Sequence, residues 1–221
     1  MKGNSYYSRK LHSLLGVIPL GIFLVEHLLT NYEAFHSGPE GFLAAVEWLQ
    51  GLPLLLFLEI FGIWLPLLYH GVYGLYIAFQ ARHNIGQYNY GRNIMFFLQR
   101  VTGVLTFIFV TWHVWDTRVQ VALGNIDHTD FGARLHELVS NPVLYALYII
   151  GLVAASFHFS NGMWAFLVSW GITVGPRAQR VSSYIWMGVF VIMSVMFILA
   201  ISAFRNEEFA LLENTVRSII G

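Results

Sequence analysis

The chain alternates long apolar runs with short polar breaks. Five runs reach the roughly 20 residues that a membrane-crossing helix needs, at about 11–31, 53–81, 95–116, 142–170 and 184–204. The breaks are too short to hold a separate domain. Residues 1–221 therefore read as a single all-α domain, an integral membrane bundle of five transmembrane helices. The first run follows Lys2, Arg9 and Lys10, as a signal peptide would. It is longer than the usual signal core, no small-x-small cleavage site follows, and it ends on Glu26 and His27.

Composition sharpens this picture. Hydrophobic residues make up 57% of the chain and charged residues only 11%, against about 25% charged in soluble domains. Mean hydropathy is +0.61. The lipid bilayer is the solvent for most of the surface, and a net charge of zero gives no reason to expect a nucleic-acid partner. The absence of cysteine excludes disulfides, thiolate-held iron–sulfur clusters and a covalently attached c-type haem. A non-covalent haem held by histidine is still allowed.

Charge at the helix ends sets an expected orientation, because Lys and Arg gather on the cytoplasmic side. Arg9 and Lys10 precede the first run, Arg82 and Arg92 fill the second break, and Arg177 and Arg180 fill the fourth. The first break holds Glu33, Glu40 and Glu47 with no Lys or Arg. The third is mixed, with Asp127, Asp130 and Glu137 against Arg118 and Arg134, and the tail after Arg205 is acidic apart from Arg217. These patterns place the N-terminus in the cytoplasm and the C-terminus outside.

Four of the nine histidines lie inside apolar runs: His27, His70, His113 and His158, one in each of the first four helices. Ionisable groups at that depth are costly and usually functional. At about 1.5 Å per residue, His27 lies roughly 25 Å beyond Lys10 and His70 about 18 Å before Arg82. His113 falls near the outer end of its helix, and His158 at a remove from the inner end similar to that of His70. Depth thus pairs His27 with His113 towards the outside and His70 with His158 further in. Two bis-histidine haems satisfy this arrangement; a single tetrahedral zinc does not, because the four ligands lie at two depths. His36, His128 and His136 in the outer breaks and His83 at the inner end of the second helix read as solvated surface, and His12 is open.

Further polar residues sit in or near the membrane. Arg100 is a candidate partner for a haem propionate, or a snorkelling side chain at the inner interface. Glu59 is a candidate for quinone or proton handling, and Glu26 adjoins His27. Both carboxylates also read as packed, hydrogen-bonded acids. Gln99, Thr102, Thr106, Phe109 and His113 form one helical stripe. Gly151, Ala154, Asn161, Gly162 and Ala165 recur at helical spacing around His158, and Pro66 and Gly74 flank His70 at four residues; small residues there suit either a flat macrocycle or plain helix packing.

Several runs carry a family resemblance: Arg9–Pro19, Leu65–Gly74, Leu98–Gly103, Trp112–Arg118, Phe157–Gly162 and Trp170–Arg177. With these the chain resembles the single-chain cytochrome b (b558-type) membrane anchor of succinate dehydrogenase from Gram-positive bacteria of the Bacillus type. The resemblance covers nearly the whole chain. It implies two non-covalent b haems, with His70 and His158 on the inner iron and His27 and His113 on the outer. It implies menaquinone as electron acceptor, a flavoprotein subunit and an iron–sulfur subunit on the cytoplasmic face, and residence in a bacterial cytoplasmic membrane. Succinate chemistry would belong to the partners, since this chain has no dinucleotide fingerprint and no cysteine. Two neighbouring readings are the anchor of a fumarate reductase and the dihaem cytochrome b of a hydrogenase or formate dehydrogenase. A haem-free transporter or scaffold is the rival from another class.

Overall fold

The computed structural model describes the backbone of residues 2–81 and 84–211, with side chains from Tyr6 onward; Arg82, His83, Arg217 and the side chain of Lys2 lie outside the described residues. The architecture is helical, and no strand occurs among the described residues. In chain order the main helices are α1 (Lys2–Val17), α2 (Pro19–His36), α3 (Gly38–Gln50), α4 (Leu55–Gln80), α5 (Gly91–Ala122), α6 (Phe131–Ser140), α7 (Pro142–Ser169) and α8 (Pro176–Ala203). Five stretches are long and apolar enough to cross a membrane: Tyr6–His36, α4, α5, α7 and α8.

The five expected spans are therefore present, but most are longer than the apolar runs. Hydropathy falls where a helix enters the headgroups, whereas the backbone ladder continues until something breaks it. Pro19 lacks an N–H and marks the break between α1 and α2. Asn141 caps α7, its Oδ1 accepting from the Val143 N–H at 2.9 Å, with Pro142 at the first helical position. At the other end of α7, Gly171 takes the left-handed conformation (φ 71°) and the Ile172 N–H closes onto the Leu167 carbonyl at 2.9 Å. Gly175 (φ 86°) then turns the chain into Pro176 and α8. Two π-helical turns interrupt the spans: Glu59–Trp64 in α4 and Trp115–Val119 in α5. Such turns cluster at functional sites.

The chain divides into two compact units. The first comprises residues 1–25, 56–107 and 154–193. In it α1 packs against α4. Leu65, Leu68, Val72, Tyr76 and Phe79 form an exposed apolar stripe on α4 at helical spacing, the side a lipid-facing helix presents. Small or short residues of α7 are buried, among them Ala154, Ser156, Ser160 and Asn161. One end is tied by polar contacts. The Arg92 guanidinium donates to Gln179 Oε1 at 2.9 Å and lies over the Trp164 ring, and Lys10 Nζ donates to the Ser169 carbonyl at 2.6 Å.

The second unit comprises residues 26–55, 108–153 and 194–221. Its core joins Phe42 and Val46 of α3, Leu135, Leu138 and Val139 of α6, Phe109, Tyr148, Phe204 and Phe209. Phe204 packs edge-on against Phe42 at 4.9 Å and lies 4.8 Å from Phe209. The breaks expected to be polar connections thus contain two amphipathic helices with a buried core, and Phe209 of the acidic tail belongs to it. His136 is a correction to the solvated reading. Its side chain is 13% exposed, and Nδ1 donates to the Phe204 carbonyl at 2.9 Å. Asp127 caps the turn before α6, and the Thr129 N–H holds its carboxyl below the usual carboxylate range.

Candidate functional site

In the first unit, α4 carries His70 and α7 carries His158, with ring centres 6.1 Å apart. In the second, α2 carries His27 and α5 carries His113, with ring centres 5.8 Å apart. Metal–imidazole bonds of about 2 Å on opposite sides of one ion put the ring centres roughly 6 Å apart. Each pair fits a single iron held from two sides. The ring planes cross at 82° and 69°.

Three of the four rings are oriented through Nδ1. His70 Nδ1 donates to the backbone carbonyl of His12 at 2.9 Å, and His158 Nδ1 to that of Gln99 at 3.1 Å. His113 Nδ1 lies 3.2 Å from the Tyr148 hydroxyl. An imidazole that ligates through Nε2 needs such a partner on Nδ1, which fixes tautomer and ring direction. At His27, Asn31 Nδ2 lies 3.4 Å from Nε2.

Backbone geometry explains how the first pair is held. His12 and Gly16 lie one turn apart on α1, and Gln99 and Gly103 one turn apart on α5. The glycine in each turn leaves room for a histidine ring to lie against the helix and reach the carbonyl. A Cβ on Gly16 would run into the His70 ring, and one on Gly103 would come within 2.8 Å of His158 Cε1. Gln99 also clamps His158 from its side chain, donating to the His158 carbonyl at 2.9 Å and accepting from buried Asn161 at 2.7 Å. The His12 ring stacks flat on His70, 4.0 Å away.

His12, Gly16, His70, Gln99, Gly103 and His158 border a cavity of about 430 Å³ in the first unit, within the roughly 300–1,000 Å³ typical of ligand and cofactor pockets. Arg100 and Arg92 line it together with His70 and His158. Arg100 makes no ion pair among the described residues. Glu59 is half-buried and opens the π turn of α4; it is not on the walls of this cavity. Glu26 accepts from the Thr30 hydroxyl on its own helix at 2.6 Å. No cluster of three or more metal-binding side chains occurs among the described residues.

Residues 82–197 match the family described as succinate dehydrogenase/fumarate reductase transmembrane subunit. The chain is also 51% identical over 205 residues to the succinate dehydrogenase cytochrome b558 subunit of Bacillus subtilis (strain 168), an overlap of 92% of this chain and 100% of that protein. The chain belongs to the succinate dehydrogenase/fumarate reductase transmembrane subunits. As a transmembrane subunit of this family it is a multi-pass bacterial membrane protein and a membrane anchor, and a cytochrome subunit implies haem.

Sequence reasoning found the four intramembrane histidines and Arg100. It placed Gln99 on a stripe without seeing its partner. It placed Asn161 on the stripe around His158 without its bond to Gln99, and it missed the stacking of His12 on His70 and the contact of Tyr148 with His113. A buried tyrosine in an apolar helix needs a partner for its hydroxyl, and that was the available signal.

Proposed function

We propose that this chain carries electrons from an iron–sulfur subunit on the cytoplasmic side to menaquinone near the outer face of the membrane. Residues 1–221 act as one membrane domain that also anchors a flavoprotein subunit. His70 and His158 hold an inner b haem, and His27 and His113 an outer one. A bound b haem supplies one-electron transfer without covalent attachment. The observation that carries this reading is the pairing itself. Four intramembrane histidines fall into two pairs at one-iron spacing, each pair within its own compact unit.

The chain's own residues do the rest. The carbonyls of His12 and Gln99 orient the inner ligands. Charge supports the orientation: Arg9, Lys10, Arg92, Arg177 and Arg180 gather at one set of helix ends, while Glu33, Glu40 and Glu47 fill a break with no Lys or Arg. The basic side faces the cytoplasm, with the N-terminus inside and the C-terminus outside. Outward electron transfer then runs with a membrane potential that is negative inside, worth about 2.3 kcal/mol per charge per 100 mV. The chemistry at succinate stays with the partner subunits, so this chain is the non-catalytic electron-transfer and quinone-binding part of the enzyme.

Arg100 pairs with a propionate of the inner haem. Arg100→Gln removes a positive charge that disfavours the ferric state, so the inner haem's midpoint potential falls while haem content is kept. An unchanged midpoint in a redox titration would exclude the pairing. Glu59, an intramembrane carboxylate on a π turn, serves proton transfer at the outer quinone. The complex purified with its partner subunits shows b-type absorption. A quinone-site inhibitor perturbs the spectrum and titration of the outer haem, and Glu59→Gln lowers quinone reduction with both haems present. An outer haem indifferent to the inhibitor, with full turnover in Glu59→Gln, would move the quinone site elsewhere.

A further inference from the structure

Tyr148 is the largest fully buried side chain among the described residues, at 1% exposure, and it lies within the first two turns of α7. Its ring packs edge-on against Phe109 at 5.4 Å and Trp112 at 5.0 Å, and Phe109 stacks on His113 at 5.8 Å. Its hydroxyl lies 3.2 Å from His113 Nδ1. On the far side of that residue, the Thr117 hydroxyl donates to the His113 carbonyl at 2.6 Å. The second unit therefore grips His113 at both ring and backbone, but with a different acceptor from the first unit, where the ring nitrogens meet backbone carbonyls.

From this geometry we propose that Tyr148 is a positioning residue for the outer haem, accepting the Nδ1 proton of His113 and setting that haem's midpoint potential. The inference rests on the reading of His113 as an axial ligand. A neutral imidazole that ligates through Nε2 keeps its proton on Nδ1, so the phenol oxygen is the acceptor and its own O–H remains a donor. Drawing the Nδ1 proton outward makes the ring a stronger electron donor to iron. That favours the ferric state and lowers the potential, through hydrogen bonding beyond the ligand itself. Packing alone would orient the ring without this electronic effect, and the two roles separate in experiment.

The test uses the full complex in membranes. Tyr148→Phe keeps the ring that packs on Phe109 and Trp112 and deletes only the hydroxyl. The expected result is two haems at wild-type stoichiometry, with one midpoint potential shifted upward and the other unmoved. The low-spin ferric signal of the shifted haem changes in the paramagnetic resonance spectrum. His113→Ala identifies which haem is the outer one. Trp112→Phe alters the same aromatic packing without touching the hydrogen bond, and it leaves both midpoints in place. Unchanged midpoints in Tyr148→Phe overturn the proposal, as does an equal shift in Trp112→Phe or loss of both haems. If His113→Ala retains both haems, the ligand reading itself fails; unchanged midpoints beside a haem lost in His113→Ala sink only the role of Tyr148.

Discussion

On the proposed pairing, replacing His158 by alanine is expected to remove one of two b haems and leave the other. A haem with two histidine ligands and no covalent attachment depends on both axial bonds, so one deletion empties the site. The same haem is lost in His70→Ala, because the two rings face one another at one-iron spacing. The other haem is lost in His27→Ala or in His113→Ala, whose rings form the second pair. Combination makes the prediction sharp. His70→Ala with His158→Ala costs no more haem than either alone, whereas His27→Ala with His70→Ala leaves none. Pyridine haemochrome assays and reduced-minus-oxidised spectra of purified complex read both outcomes. A single haem surviving in the His27/His70 double variant would contradict the pairing, and wild-type protein without b-type bands would end the haem reading altogether. On the proposed path, with both haems in series, each single variant is also expected to block quinone reduction while succinate oxidation with an artificial acceptor persists.

The second large effect comes from residues that carry no chemistry. Gly16→Ala places a methyl group where the His70 ring lies, and Gly103→Ala places one 2.8 Å from His158 Cε1. Neither ring retreats without losing its Nδ1 bond to the His12 or Gln99 carbonyl one turn before the glycine. A buried hydrogen bond lost in this way leaves an unsatisfied group and costs about 1–3 kcal/mol. The displaced nitrogen also no longer points along the axial direction. The inner haem is therefore lost, or converted to a form with altered ligation and spectrum, while the outer haem is kept. Gly188→Ala on α8, where an added Cβ meets nothing within 4 Å, leaves both haems intact. Wild-type haem content and spectra in both Gly16→Ala and Gly103→Ala would mean that these close approaches do not shape the site.

Much of the candidate site is legible in the amino-acid sequence. His27, His70, His113 and His158 stand out because lipid makes an intramembrane imidazole expensive, and their depths follow from the rise of a helix. Arg100 is visible for the same reason, and it lines the cavity with His70 and His158. The devices that orient the ligands are not legible. Gly16 and Gly103 look like any small residue in a packed membrane helix, and their meaning appears only when a ring from another helix lies over them. Tyr148 is one aromatic among many until its hydroxyl meets His113. The core of the second unit is hidden too. Phe42, Leu138, Phe204 and Phe209 come from three distant stretches, and Phe42, Leu138 and Phe209 lie in segments whose average polarity suggests plain connections.

By itself the sequence determined the all-helical class, five membrane spans and the four histidines within them. The reason is that hydrocarbon offers no hydrogen bonds, so an apolar run of that length has to satisfy its backbone as a helix. Only the tertiary structure decided which carbonyl receives Nδ1 of His70 and of His158, which hydroxyl lies against His113, and which glycine makes room for each ring of the first pair. Those choices are made where two helices meet, and no local pattern of apolar and polar positions specifies the partner.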